Sequence, residues 1–198
     1  TGDSIKVGVL DVGFHGFESL MGTEFSNTVS ARCYYLVGYY TSDLDYCSAG
    51  GEDHGTAVAE ALTDIAPNVE LYISNPISRG DVKAAVTWMV DEGVQVINAS
   101  MGWSWNGPGD GTSIYSDSIL NTLDYAVANG VVWINSSGND AQSHWFGAPV
   151  DNDQDGYFTF NSAETSETNE ISLSAGQKIT VQLRWEDSWN YAATDLDL

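Results

Sequence analysis

The sequence predicts an α/β fold, a doubly wound and mostly parallel sheet, followed by a β-rich partial module. Three observations carry this. Short β-branched runs alternate with runs of 3.6-residue apolar period as far as about residue 146. Each strand-like run is β-branched and bounded by turn residues, as expected of a strand covered on both faces. After about residue 150 helical period disappears, and turn residues with alternating apolar positions take over. Two domains are drawn accordingly, residues 1–148 and residues 149–198.

The elements follow in order. "IKVGVLD" (residues 5–11) is the first strand and ends in an acid, Asp11. The stretch through Cys33 and Cys47 is rich in Tyr, Gly and Ser and reads as a loop. In "GEDHGTAVAEALTDIAP", Ala57, Val58, Ala61, Leu62 and Ile65 share one helical face, with Glu60 and Asp64 opposite, and Pro67 stops the helix. "VELYIS" (residues 69–74) is the second strand. Val82, Ala85, Val86, Met89 and Val90 form the next helical stripe, closed by Gly93. "VQVINAS" (residues 94–100) is the third strand. A helix over residues 114–127 carries Ile119, Leu120, Leu123, Ala126 and Val127 inward, with Thr112 or Ser113 as its expected N-cap and Gly130 at its end. "VVWINSS" (residues 131–137) is the fourth strand. Beyond it, residues 169–187 read as two strands joined at "SAGQ", with Ile171, Leu173, Ile179, Val181 and Leu183 alternating. Strand–helix–strand alternation requires right-handed crossovers.

Composition narrows the partners. Of 198 residues, Asp plus Glu number 28 and Lys plus Arg 6, a formal charge of −22. That surface disfavours nucleic acid and anionic membrane. It suits a secreted protein, a calcium binder or life in high salt. No apolar run reaches the length of a membrane span. Thr1 does not open a signal peptide, so the chain reads as a mature or trimmed product. Cys33 and Cys47 are either free thiols or a disulfide. A bridge closing that loop is worth about 3 kcal/mol on the chain-entropy model.

Open α/β sheets bind ligands beyond the carboxyl ends of their strands. Asp11 ends the first strand, Asn98–Ser100 the third and Ser136–Asn139 the fourth, while His54 opens a helix. An aspartate there can fix the tautomer of an imidazole, and a neutral imidazole is what a general base needs. Asn139 can donate its side-chain N–H to an oxyanion. No Gly-rich loop follows the first strand, and Phe14, His15 and Phe17 stand where a phosphate would need backbone, which disfavours a dinucleotide binder.

These segments resemble the subtilisin-like serine proteases. "VGVLDVGF" is similar to that family's aspartate motif, and "DHGTAVAEALTDIAP" to its His-Gly-Thr-x-Val-Ala motif. "VINASMGW" resembles its Ser-Leu-Gly-Gly substrate segment, and "VVWINSSGND" its Ala-Gly-Asn segment. The resemblance implies Asp11 and His54 as catalytic residues and Asn139 as the oxyanion donor. It implies Ser100, Met101, Gly102, Trp103, Ser137 and Gly138 as substrate-binding residues. It also implies a peptide or protein substrate, no organic cofactor and an extracellular location. Trp103 departs from the family's small residue. The nucleophile motif Gly-Thr-Ser-Met-Ala has no match after Asn139, and the Gly-Thr-Ser at residues 111–113 reads as a helix cap. The chain is therefore expected to be inactive alone, its serine supplied by a C-terminal remainder of the catalytic domain. A fold-retaining binding protein without catalysis is the rival reading.

The tail "LRWED…ATDLDL" resembles later strands of the prepeptidase C-terminal domain, which implies an inserted β-sandwich. "DNDQDG" puts Asp151, Asp153 and Asp155 at alternate positions before Gly156, the first half of a calcium loop. Its twelfth position is Ser162 rather than Glu. The tyrosines 34, 35, 39 and 40 and the group Trp185, Trp189 and Tyr191 read as packing rather than a ligand platform.

Overall fold

A computed structural model describes residues 1–26, 28–48, 50–103, 106–140, 143–148, 150–160, 166–194 and 196. Six strands form one sheet in the order β3-β2-β4-β1-β5-β6. They are β1 (Lys6–Leu10), β2 (Val29–Leu36), β3 (Tyr39–Thr41), β4 (Glu70–Ser74), β5 (Val96–Ala99) and β6 (Val132–Asn135). All neighbours are parallel except β2 and β3, which form an antiparallel hairpin at one edge. The helices are α1 (His54–Ile65), α2 (Arg79–Asp91) and α3 (Ile119–Ala128).

Strands β1 and β4 are buried on both faces, which is why they lack alternation. Val7 and Val9 of β1 pack with Ala59 of α1 and with Phe14, Phe17 and Ile73. Leu10 and Ile97 pack on the other face with Val82, Val86 and Met89 of α2 and Ala126 of α3. Gly8 belongs to this second face, because a Cβ there would stand 2.5 Å from Met89 Sδ. Phe17 and Phe25 stack at 4.1 Å, and Phe14 meets Phe17 edge-on at 6.0 Å. Burying each such ring is worth about 1.5–3 kcal/mol.

α2 starts with a capping box: the Ser78 hydroxyl accepts from the Asp81 N–H, and Asp81 accepts from the Ser78 N–H. The other oxygen of the buried Asp81 accepts the Gly38 N–H at 2.8 Å, which fastens the β2–β3 turn to the helix. Gly93 and Gly130 take left-handed φ of 78° and 84° just past α2 and α3.

Three readings of the sequence are corrected. The Tyr-rich stretch is not a loop but carries β2 and β3. The third helix starts at Ile119, not at residue 114, and its cap is Ser118, whose side chain accepts the Asn121 N–H. Thr112 and Ser113 are held elsewhere, Thr112 on the Asp110 carboxylate at 2.7 Å and Ser113 on the Asn106 carbonyl at 2.6 Å. Residues 169–187 keep the expected turn, with the Gln177 N–H on the Ser174 carbonyl, but form no ladder. Ile171, Leu173, Ile179 and Val181 remain about half exposed. An isolated two-stranded hairpin without a packed face is marginal in water, so alternation alone was a poor guide.

The chain divides into two compact units, one comprising Thr1–Ser137 with Arg184–Leu198 and the other Gly138–Leu183. Within the described part of the second, Val150 and Thr159 form an antiparallel bridge. The Trp145 indole there donates to the Phe160 carbonyl at 2.8 Å.

Candidate active site

Asp11 is the first residue beyond β1. Its N–H donates to the Ser74 carbonyl at 3.1 Å, so the neighbouring strand fixes its backbone. Its carboxylate is fully buried. Oδ1 accepts the Val12 N–H at 2.8 Å. His54 is the first residue of α1, and its side chain is 58% exposed, so the ring reaches solvent while the carboxylate does not. Nδ1 lies 3.0 Å from one Asp11 oxygen and 2.9 Å from the other. That fork assigns a proton to Nδ1, and in the neutral ring Nε2 is then the acceptor. Burial holds the Asp11 carboxyl above its ordinary range, against the hydrogen bonds from His54 and Val12.

The local fold explains the residues beside His54. The Gly55 N–H donates to the Gly13 carbonyl at 2.9 Å. A Cβ at position 55 would stand 2.6 Å from that oxygen and 2.8 Å from Asp11 Cβ and from Phe14 Cε1. Only glycine lets the helix come this close to the strand end. The buried Thr56 hydroxyl donates to the His15 carbonyl at 2.9 Å. The His15 N–H donates to Glu52, and the Phe14 N–H to Cys47, both at 2.8 Å. The segment from Cys47 to Thr56 thus satisfies the backbone groups of residues 13–15 almost in sequence. Cys47 is itself disulfide-bonded to Cys33 of β2.

The other predicted residues are distributed as follows. Ser100 follows β5, its N–H on the Leu10 carbonyl at 3.1 Å, so it stands beside the end of β1. Its hydroxyl accepts from Asn98 Nδ2 at 3.0 Å. Met101 and Trp103 pack against the core beneath α2 and α3. Gly102 is exposed, with open space where a Cβ would be. Ser137 ends the first segment of the first unit, following Ser136, whose N–H is on the Ala99 carbonyl. Gly138 and Asn139 belong to the second unit. Asp151, Asp153 and Asp155 bring carboxylate oxygens within 4.8 Å of one another. Asp151 accepts the N–H groups of Gln154 and Gly156 at 2.7 and 3.1 Å, and Gly156 has φ 95°. Hard oxygen donors on so tight a turn fit calcium better than zinc or copper.

One residue of the site region escaped the sequence reading. Asn75, buried just past β4, accepts the Tyr34 N–H at 2.7 Å and donates to the Tyr34 carbonyl at 3.3 Å. It also donates to the Tyr46 carbonyl at 3.5 Å, tying β2 to the turn that carries Cys47. Its only signal was a polar residue at a strand's carboxyl end.

A buried carboxylate gripping an exposed imidazole, at the carboxyl end of the central strand of a parallel sheet, is what an acid–base site requires. The sequence model of the subtilase family, peptidase S8, matches residues 2–182, and the chain belongs to that family. A probable subtilase-type serine protease of Deinococcus radiodurans is 33% identical over 109 residues, covering 48% of this chain and 14% of that protein. The minor extracellular protease Vpr of Bacillus subtilis is 30% identical over 166 residues, covering 73% of this chain and 19% of Vpr. The chain thus spans less than a fifth of either relative's length. A lanthipeptide protease crystal structure aligns with a TM-score of 0.48 and 22% identity, over 70% of this chain and 41% of that one. Among the described residues no helix is long and apolar enough to cross a membrane.

Proposed function

We propose that this chain is the N-terminal part of a secreted serine endopeptidase. The observation that carries the reading is the fork of His54 Nδ1 on the buried Asp11 carboxylate, in a chain of the subtilase family. His54 Nε2 takes the proton of a serine hydroxyl, and the serine oxygen attacks the scissile carbonyl carbon. Collapse of the tetrahedral intermediate expels the amine, which takes that proton from His54. Water then repeats the sequence and frees the acyl group as a carboxylic acid. Asp11 keeps the proton on Nδ1 and offsets the imidazolium charge. The segment 100–103 takes an extended peptide alongside the end of β5. The oxyanion role of Asn139 rests on its motif.

The serine comes from a segment outside these 198 residues. No Gly-Thr-Ser-Met-Ala-like stretch follows Asn139, and Ser113 is engaged with the Asn106 carbonyl. Residues 149–198 include part of an inserted module, and Asp151, Asp153 and Asp155 supply half of a calcium site in it. A disulfide, a strongly acidic surface and the extracellular relative support secretion.

The test uses the 198-residue chain and the full-length protein. A fluorophosphonate probe should leave the former unlabelled and label the latter outside these residues. His54→Ala in the full-length protein should abolish peptide hydrolysis. Labelling at Ser113, or turnover unchanged in His54→Ala, would overturn the assignment. Peptide binding without turnover by the wild-type full-length protein would favour the fold-retaining binding protein.

A further inference from the structure

The disulfide has both half-cystines fully buried, in the core cluster that also holds Phe14, Phe17 and Ala59. Its sequence neighbourhood reaches the Asp11–His54 pair by a short covalent and hydrogen-bonded route. The Cys47 carbonyl accepts the Phe14 N–H at 2.8 Å, and the Ser48 hydroxyl donates to the Phe14 carbonyl at 3.3 Å. Both polar groups of Phe14 therefore bond two adjacent residues of the Leu44–Ser48 turn, and its carbonyl also accepts the Phe17 N–H at 3.2 Å. Phe14 is fully buried against Phe17 and Gly55, so its peptide has little freedom to find other partners. On one side of Phe14, the Gly13 carbonyl accepts the Gly55 N–H; on the other, the His15 carbonyl accepts the Thr56 hydroxyl. Those two residues directly follow His54. Asp11 stands two residues before Gly13. The chain from 11 to 15 and the chain from 47 to 56 form one clamp, with the two reacting side chains at its ends and the Cys33–Cys47 bridge at its root.

We propose that the Cys33–Cys47 disulfide, through the Cys47 carbonyl and the Ser48 hydroxyl, is a positioning element for the Asp11–His54 pair. The inference rests on the peptidase reading above. Without the bridge, the Leu44–Ser48 turn keeps the 3.5 Å bond from the Asn75 side chain to the Tyr46 carbonyl and the packing of the Tyr46 ring on Tyr35 at 5.2 Å, but it loses its covalent tie to β2. Phe14 then loses a fixed partner, and the Gly13–Gly55 contact that sets the distance between carboxylate and imidazole loosens. The segment proposed to bind substrate, residues 100–103, follows β5, and the Ser100 N–H is held by the Leu10 carbonyl rather than by a group of the clamp. The bridge should therefore act on turnover and leave substrate affinity alone.

The experiment compares wild type, Cys33→Ala/Cys47→Ala and Ser48→Ala in the full-length protein, at a temperature where circular dichroism shows each folded. The double variant should lose about ten- to hundredfold in kcat, as small misplacements of reacting groups do. KM should stay within about twofold, and the acid limb of the kcat/KM profile should shift. Ser48→Ala should lower kcat about threefold with the disulfide intact. A folded double variant with wild-type kcat and an unmoved acid limb, its loss confined to melting temperature, would overturn the proposal. Should the double variant fail to fold, unchanged kcat in Ser48→Ala overturns it instead. Failure of the peptidase reading looks different, since wild type itself would then show no turnover to lose.

Discussion

Two glycines occupy the same position in two helices and should respond to alanine with opposite signs. Gly55 is the second residue of α1 and Gly80 the second residue of α2. Helix propensity favours alanine over glycine at both, by up to about 1 kcal/mol in a helix interior and less in a first turn. The surroundings differ. At Gly80 the nearest heavy atom to a new Cβ is Ser78 Oγ at 3.7 Å, ordinary contact distance, and the site is exposed. Gly80→Ala should therefore stabilise by about 0.4–1 kcal/mol, mostly by restricting the unfolded chain. At Gly55 the Cβ would lie 2.6 Å from the Gly13 carbonyl oxygen and 2.8 Å from Asp11 Cβ. Relief to about 3.3 Å needs a shift of roughly 0.7 Å between α1 and the end of β1, and overpacking of this kind costs about 1–3 kcal/mol.

That shift matters more for the site than for the fold. If it falls wholly along the Asp11–His54 direction, the 2.9 Å contact opens to about 3.6 Å, beyond hydrogen-bond range. Gly55→Ala should then lower kcat/KM of the full-length protein by about ten- to hundredfold, while Gly80→Ala leaves it unchanged. Chemical denaturation gives the stability of each variant, and hydrolysis of a chromogenic peptide gives the rates. Equal stability changes in the two variants, or full activity in Gly55→Ala, would refute the view that the glycine is needed for close approach.

Three further outcomes follow from the same geometry. Because burial raises the Asp11 carboxyl in the folded state, that state binds the proton more tightly than the unfolded one; the contribution is present at low pH and lost as pH rises through the folded value. Asp11→Asn should accordingly gain stability relative to wild type as pH rises above the ordinary carboxylate range, while losing peptide hydrolysis, and denaturant titrations showing the reverse trend would contradict the burial account. Thr56→Val removes a buried donor from the His15 carbonyl and should cost about 1–3 kcal/mol, read from thermal unfolding. Millimolar calcium should raise the melting temperature of the full-length protein, and Asp151→Asn should remove that increase; an unchanged melting temperature in calcium would argue that the turn holds no ion.

The fold was legible where a strand carried a continuous apolar run, whether buried as in β1 and β4 or largely exposed as in β6. β1, β4, β5 and β6 each lie inside a stretch read from β-branched residues alone. β2 was not legible because "VSARCYYL" carries Ser, Arg and Cys. Those residues have partners the sequence does not announce. Cys33 bridges to Cys47, and Arg32 lies over the Tyr40 and Trp88 rings. β3 is three residues long, and its register with β2 shifts between Tyr34 and Leu36. The start of α3 was misplaced because several hydroxyls precede it and only one can cap. Asn106 decides among them, since its carbonyl takes the Ser113 hydroxyl and its side chain accepts the Ile119 N–H at 3.3 Å.

The site shows the same division more sharply. Asp11 and His54 could be named because a carboxylate and an imidazole are chemically distinctive, and their motifs fix their places on a strand end and a helix start. What holds them together could not be named. The Gly13, His15, Cys47 and Glu52 groups that join the two segments are backbone carbonyls, which every residue possesses. Side-chain identity enters that clamp where a Cβ would collide, at Gly13 and Gly55, or where a hydroxyl is needed, at Thr56 and Ser48. The residues after His54 are thus constrained by the strand end they touch, forty residues earlier in the chain, rather than by the helix they begin. A histidine placed on an otherwise similar amphipathic helix, without glycine and a small hydroxyl residue after it, would sit too far from Asp11 to share its proton.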